Sequence, residues 1–246
     1  MRKGIFWILI GFSILFADVR VPEPWNPGFF DGEKNPARRI SAFCMGILWT
    51  EPMEDADYEV LGFAAEWGNS RYFVGMDFSS SFLDSLYRSE RFGLDLSVSL
   101  SHVTVGIGGD ADVQIVPGEA TWWGVAGRLG SAIAFGAFSV GVLGVYAQDL
   151  GENAVESQIL WDAGSHFQSG VRFLFRQKSG GLWIFQESFA LGALSLQGSV
   201  AFPGPKIGVG LVFRLGNGGA SLGIHRDGSY MNSKIVGLFI SKRLEK

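Results

Sequence analysis

Residues 103–111 contain the pattern Gly-x-Gly-x-x-Ala, which in dinucleotide-binding proteins holds a pyrophosphate group. Gly106, Gly108 and Ala111 supply it. The chemistry requires a helix that begins at the pattern and points its N-terminus at the phosphates. The residues that follow, 115–117, are Ile-Val-Pro and favour no helix. We therefore expect a turn between two strands here, and no cofactor.

Three isolated histidines could supply acid–base chemistry: His102, His166 and His225. A serine precedes two of them, Ser101 and Ser165. A serine hydrolase needs its nucleophile, base and orienting group within hydrogen-bond reach, and nothing in the sequence brings these residues together. We expect rim or turn histidines and no catalytic residue. A hydrolase on the wall of a barrel remains the alternative.

Metal chemistry has few candidates in this chain. Asp110 and Asp112 could hold a cation in a loop, but no further ligand pattern accompanies them, so a solvated turn is the better interpretation. Cys44 is the single cysteine, which excludes a disulfide framework and a Cys-rich metal site. We expect no metal.

A larger set of ionisable residues alternates with large apolar residues along candidate strands. Successive side chains of a strand point to opposite faces, so these residues lie opposite the apolar face. We expect them to point into a barrel, where both signs can pair. They are Asp77, Asp95, Arg128, Arg172, Arg176, Arg214 and His225. The interior is then either plugged and structural, or a polar lumen that lets small solutes pass.

The element that must position these residues is a β-strand with unlike faces. Residues 92–100, FGLDLSVSL, place Phe and Leu or Val on one face, and Gly, Asp and Ser on the other. The outward face of a soluble sandwich is usually rich in charge, whereas here the second face carries small residues and sparse charges. Large apolar outside and small or polar inside is the pattern of a barrel in lipid.

Turn signals divide the chain into fourteen candidate strands, and we expect 12 or 14 because bacterial barrels take an even number. Two of the predicted turns are Gly108-Gly109 and Gly130-Ser131. Residues 129–148 carry no charge, so a spanning helix is an alternative there. Aromatic residues near the predicted strand ends suggest membrane-interface girdles. They are Trp49, Trp67, Tyr72, Tyr146, Trp161 and Trp183.

The start of the chain predicts export and a tether. Residues 1–17 have two basic residues before a 13-residue apolar run, which is typical of a cleaved signal peptide. Residues 18–39 hold four of the eight prolines and predict an extended periplasmic segment. Residues 40–246 form the predicted barrel domain. A net charge of −4 disfavours a nucleic-acid partner.

Asn35-Pro36-Ala37 before the first strand, with the signal peptide and the Gly-rich aromatic meander, resembles outer-membrane barrels of the FadL and PorV type. In that family Asn-Pro-Ala-Gly-Leu leads into the first strand, whereas Arg38-Arg39 follow here. Such barrels commonly end in an aromatic residue, and this chain ends SKRLEK with Phe239 as its last aromatic. The resemblance implies uptake of hydrophobic molecules or a role beside secretion machinery.

These observations together predict an all-β protein: an antiparallel up-and-down transmembrane β-barrel of about 12–14 strands, in the outer membrane of a Gram-negative-type bacterium. We expect passive passage of small or hydrophobic molecules or a structural role in the envelope, and no enzymatic activity. The expected partners are outer-membrane lipid and the outer-membrane assembly machinery. The alternative is a secreted or periplasmic β-barrel or sandwich that binds an apolar ligand.

Overall fold

The computed structural model describes residues 35–37, 42–53, 58–83, 86–148, 152–163, 166–204, 206–227 and 231–243. The predicted signal peptide lies outside these residues, as does the predicted 18–39 segment apart from residues 35–37. No helix in the described part of the chain is both long and apolar enough to cross a membrane.

Fourteen antiparallel strands make up most of the described chain, which agrees with the expected number of 12 or 14. They are β1 (Ala42–Met53), β2 (Tyr58–Gly68), β3 (Tyr72–Leu83), β4 (Tyr87–Leu100), β5 (Val103–Ile115), β6 (Trp122–Phe135), β7 (Phe138–Gln148), β8 (Ala154–Ala163), β9 (Phe167–Arg176), β10 (Gly180–Leu191), β11 (Leu194–Phe202), β12 (Lys206–Leu215), β13 (Gly218–Asp227) and β14 (Met231–Arg243).

Each strand pairs with the next along the chain, and β1 pairs with β14 to close the barrel. The closing ladder runs from Ala42 opposite Arg243 to Glu51 opposite Lys234. Closure leaves no unpaired edge, so backbone groups are satisfied without water. It also excludes the sandwich. With strands about 4.8 Å apart and tilted by about 40°, fourteen strands make a cylinder about 28 Å across.

The two faces of the wall differ in the sense that the sequence predicted. Along β4, Phe92, Leu94 and Leu96 are exposed while Asp95 and Ser97 are buried. The same alternation recurs in β3, β6, β7 and β12. We call the face with the exposed apolar residues the outer face, and the opposite face the inner wall.

Two predicted turns are wrong, because the strands run through them. Gly108-Gly109 lies inside β5 and Gly130-Ser131 lies inside β6. These glycines do not turn the chain: Gly108 and Gly130 leave room on the inner wall for other groups, as described below. The actual β6–β7 turn is at residues 136–137, where Gly136 has a φ of 56°. The spanning-helix alternative for residues 129–148 is also wrong, since this stretch spans β6 and β7.

The two ends of the barrel differ in their connections. At the end where β1 begins and β14 finishes, the connections have two or three residues; we call this the terminal end. At the other end, the loop end, they have three to six residues. Residues with positive φ lie in the two-residue turns at the terminal end: Ser101 in one turn and glycines, including Gly192 and Gly216, in the others.

Aromatic residues form a band on the outer face near the terminal end. The rings of Phe138 and Trp161 stack with centroids 6.2 Å apart, and Phe167 meets Trp161 edge-on at 5.7 Å. Trp67 and Tyr72 are exposed at the same end. Amphipathic rings at this height suit the boundary between lipid and water.

Candidate functional site

One polar cluster on the inner wall is a network of ion pairs on β4, β5 and β6. Arg128 Nη2 donates to Asp95 Oδ1 at 2.9 Å, and its Nη1 lies 3.0 Å from Asp110 Oδ2. Arg91 Nη2 lies 3.0 Å from the same Asp110 oxygen. The side chain of Arg128 is 0% exposed and that of Asp110 is 2% exposed, so water does not screen this pair.

Glycines on the intervening strands make this network possible. Gly108 stands between Asp95 and Arg128 in the strand register, and both side chains lie over it. Any Cβ at Gly108 would collide with the Asp95 carboxylate. On the inner wall, small residues therefore leave space in which charged side chains of neighbouring strands can meet.

Gly93 leaves a second space of this kind, which two carboxylates occupy. Asp77 and Asp110 flank Gly93 in register. A Cβ at Gly93 would lie 2.5 Å from Asp77 Oδ1 and 2.8 Å from Asp110 Oδ1. The carboxylates thus converge on one point of the wall, and Arg91 and Arg128 supply the positive charge beside Asp110.

A separate ion pair occupies the inner wall on the far side of β7. Arg172 Nε donates to Glu156 Oε1 at 2.9 Å, with the Glu156 side chain 2% exposed. Gln186 on β10 is buried on the same face. Apolar side chains, including Leu143 and Leu174, pack beside this region.

Arg176 lies at the loop end rather than in the network. Its Nε is 3.9 Å from Glu152 Oε1. Glu152 also accepts hydrogen bonds from Ser179 Oγ at 2.6 Å and from the backbone N–H of Lys178 at 2.8 Å. The Ser179 hydroxyl contributes most to lowering the pKa of Glu152, and the backbone N–H groups and Arg176 add to the effect.

The seven expected lumen residues fall into four places. Asp77, Asp95 and Arg128 meet in the network, whereas Arg172 pairs with a glutamate on β8 and Arg176 lies at the loop end. Arg214 and His225 occupy inner positions of β12 and β13, on the opposite side of the barrel.

Sequence reasoning missed Arg91 and Glu156, and it misplaced Asp110 and Asp112. The expected solvated turn at Asp110 and Asp112 is wrong, because both lie in β5 on the inner wall. Strand parity would have found them, but the predicted turn at Gly108-Gly109 ended the strand before them.

Three residues before β1 lie against the inner wall of β5, β6 and β7. Asn35 Nδ2 donates to the Val142 carbonyl at 3.4 Å, and Asn35 Oδ1 accepts from the Ala37 N–H at 2.9 Å. Pro36 rests on Gly106 and Gly130, where any Cβ would collide with this segment. All three residues are buried. The segment therefore takes up part of the lumen, next to the ion-pair network.

The three candidate histidines lie in different parts of the barrel. His102 and His166 lie in turns at the terminal end. Residues 219–223 have the pattern Gly-x-Ser-x-Gly, but they belong to the continuous strand β13, not to the strand–turn–helix that a nucleophile elbow requires. Ser221 and His225 share the inner face four residues apart, about 13 Å along a strand, which is too far for a hydrogen bond.

No protein-family model matches the sequence, and no curated protein matches it either. The FadL and PorV resemblance therefore stays a prediction. Among solved structures, the chain is similar to a triple mutant of Rhodopseudomonas blastica porin, with a TM-score of 0.48 and 10% identity over 82% of this chain and 99% of that chain. A second mutant of the same porin gives a TM-score of 0.49 and 9% identity over the same shares. The closed fourteen-strand barrel is established by its own strand pairing.

Proposed function

We propose that the protein is an outer-membrane β-barrel through which small polar solutes pass passively. One observation carries the proposal: a continuous apolar outer face surrounds an inner wall of paired charges, amides and serines. A soluble barrel that binds an apolar ligand would have these faces the other way round. Eight-stranded barrels are filled by side chains, whereas larger barrels leave space for a channel.

The proposed orientation follows from the connections. Outer-membrane barrels have short periplasmic turns and longer extracellular loops. The terminal end, with its two- and three-residue turns, then faces the periplasm. Outer-membrane lipid surrounds the apolar belt, and the outer-membrane assembly machinery inserts the barrel.

The proposed solutes are small and polar, because the lumen is both charged and narrowed. Residues 35–37 occupy space beside the Arg128 network, so the passage is smaller than the barrel diameter alone would give. Charged groups of both signs line the wall, which favours hydrated solutes over apolar ones. Uptake of hydrophobic molecules, the other predicted function, is therefore less favoured by these charged groups than passage of polar solutes.

Two measurements test the proposal in sequence. Membrane fractions run on SDS gels before and after boiling should show a band that shifts, and the protein should be absent from the periplasmic wash. Liposomes holding the purified barrel should then swell in small sugars and not in large oligosaccharides. A barrel that shifts on boiling but leaves the liposomes impermeable would overturn the channel and leave a structural role in the envelope. A soluble protein with no shift would overturn the membrane location itself.

A further inference from the structure

The outer face of β10 carries a carboxylate in the middle of the apolar belt. Glu187 is exposed, with Trp183 and Phe185 on one side of it along the strand and Phe189 and Leu191 on the other. Among the described outer-face positions it is the one charged residue flanked in this way by two large apolar residues on each side. Ionisable groups facing lipid are costly and rare, so this one calls for a partner.

The other outer-face charges of the described residues lie near strand ends, and some of them are paired. Glu51 lies 3.7 Å from Lys234 near the loop end, and Arg88 pairs with Glu90 on β4. Within the described part of the chain, Glu187 takes part in no such interaction. Its carboxylate therefore has acceptor capacity to offer to a group outside the chain.

The residues beside Glu187 remove bulk from its surroundings. Ser169 on β9 and Gly198 on β11 are its direct partners in the strand register, so all three side-chain positions form one row on the outer face. Large apolar residues, including Phe189 and Leu196, lie beside this row. Small residues in a membrane-embedded face allow another backbone to approach closely.

We propose that the row Ser169–Glu187–Gly198 is a contact surface for a second copy of this chain, related by a two-fold axis along the membrane normal. This inference rests on the proposed membrane location. A two-fold contact places residue i against j and j against i. With the axis between β9 and β10, each Glu187 carboxylate accepts a hydrogen bond from the Ser169 hydroxyl of the other copy.

The row is self-complementary because its donor, Ser169, and its acceptor, Glu187, lie on adjacent strands. In this arrangement the two Glu187 carboxylates do not face each other. Each carboxylate accepts a hydrogen bond from a serine hydroxyl at the interface, where lipid is excluded. A cationic partner is disfavoured among copies of this chain, since the outer-face cations Arg88, Arg226, Lys234 and Lys242 all lie near strand ends. Gly198 leaves space beside each pair for the partner's apolar side chains.

Cysteine cross-linking in native membranes tests the contact. In a Cys44→Ser background, Val171→Cys places a thiol on the outer face of β9, two residues after Ser169 along the strand. Val74→Cys on β3, on the opposite side of the barrel, is the matched control. A short bis-maleimide should link the Val171→Cys chains into dimers and leave the Val74→Cys chains as monomers.

Substitutions at Glu187 then decide what holds the dimer together. Glu187→Leu should lower the cross-linked fraction about tenfold, because it removes both hydrogen bonds between the copies. Glu187→Gln keeps an acceptor and should retain the fraction within about twofold. Both variants should still shift on boiling, since neither touches the inner wall.

Two results would overturn the contact: no dimer above the Val74→Cys control, or a dimer that Glu187→Leu leaves unchanged. Either result in a protein that shifts on boiling refutes the pairing alone. A protein that shows no shift and washes off the membrane refutes the membrane location first.

Discussion

Arg128 and Glu187 both lie in the interior of a strand, yet they face opposite sides of the same wall. Arg128 is fully buried on the inner wall, where Gly108 lets it reach Asp95. Glu187 projects into the apolar belt with small residues on either side and no partner within the described chain. In both places small neighbours create the space around a charge. The inner wall fills that space from its own strands, whereas the outer face leaves it open to another molecule.

Removing Arg128 should break the inner half of this comparison most severely. Arg128→Met leaves Asp95 and Asp110 as buried carboxylates without their shared cation. We expect a loss of about 3–5 kcal/mol in the free energy of unfolding, measured by guanidinium denaturation in detergent micelles. Leu129→Met, one residue along and on the outer face, is the control and should change little. A loss below about 1 kcal/mol in Arg128→Met would mean that water reaches the network and the comparison fails.

A new charge can be placed on either side of the wall to sharpen the contrast. Leu211→Arg puts a cation on the outer face of β12, between Leu196 and Leu222 in register, and should cost about 2–4 kcal/mol if this face is in lipid. Ser199→Arg, its inner-wall counterpart on β11, has Gly208 beside it in register and should cost less. Unfolding in lipid vesicles measures both. Equal losses would contradict the assignment of the outer face to lipid.

The sequence predicted more of the fold than of the candidate site. The alternation in residues 92–100 predicted the strand and both of its faces, because a period of two is visible without any partner. Pairing was not visible: that Arg128 meets Asp110, or that Glu156 meets Arg172, depends on which strands become neighbours. Gly108 and Gly130 misled the prediction because a glycine needed for space and a glycine needed for a turn look alike in sequence.

A side chain placed at Gly130, against residues 35–37, tests whether this segment narrows the lumen. Gly130→Leu would collide with Asn35 and Pro36 and displace them. We expect a rise in single-channel conductance in planar bilayers, with a loss of about 1–3 kcal/mol in stability from overpacking. Gly127→Leu is the control, because its Cβ points into open space on the outer face of the same strand. Equal conductance in wild type and Gly130→Leu would show that this segment does not limit passage.

The smallest expected effect concerns Glu152 at the loop end, where charge is neither buried in the wall nor exposed to lipid. Ser179 and neighbouring N–H groups lower the pKa of Glu152 below its ordinary value of about 4.3. Its contact with the β9–β10 turn is therefore fully present above that value and is lost as the pH falls through the lowered pKa.

Amide hydrogen exchange at Lys178 and Ser179 follows this contact, since both N–H groups donate to Glu152 Oε2. At pH 7 exchange should be faster in Glu152→Ala than in wild type, and the ratio should approach one once the pH falls below the lowered pKa, where the carboxylate protonates. Barrel stability should hardly change. Unequal exchange that persists below the lowered pKa would show that the loop geometry, and not the ionised carboxylate, protects this turn. The protection of the β9–β10 turn would then come from backbone geometry, as the space for the inner-wall ion pairs comes from glycines.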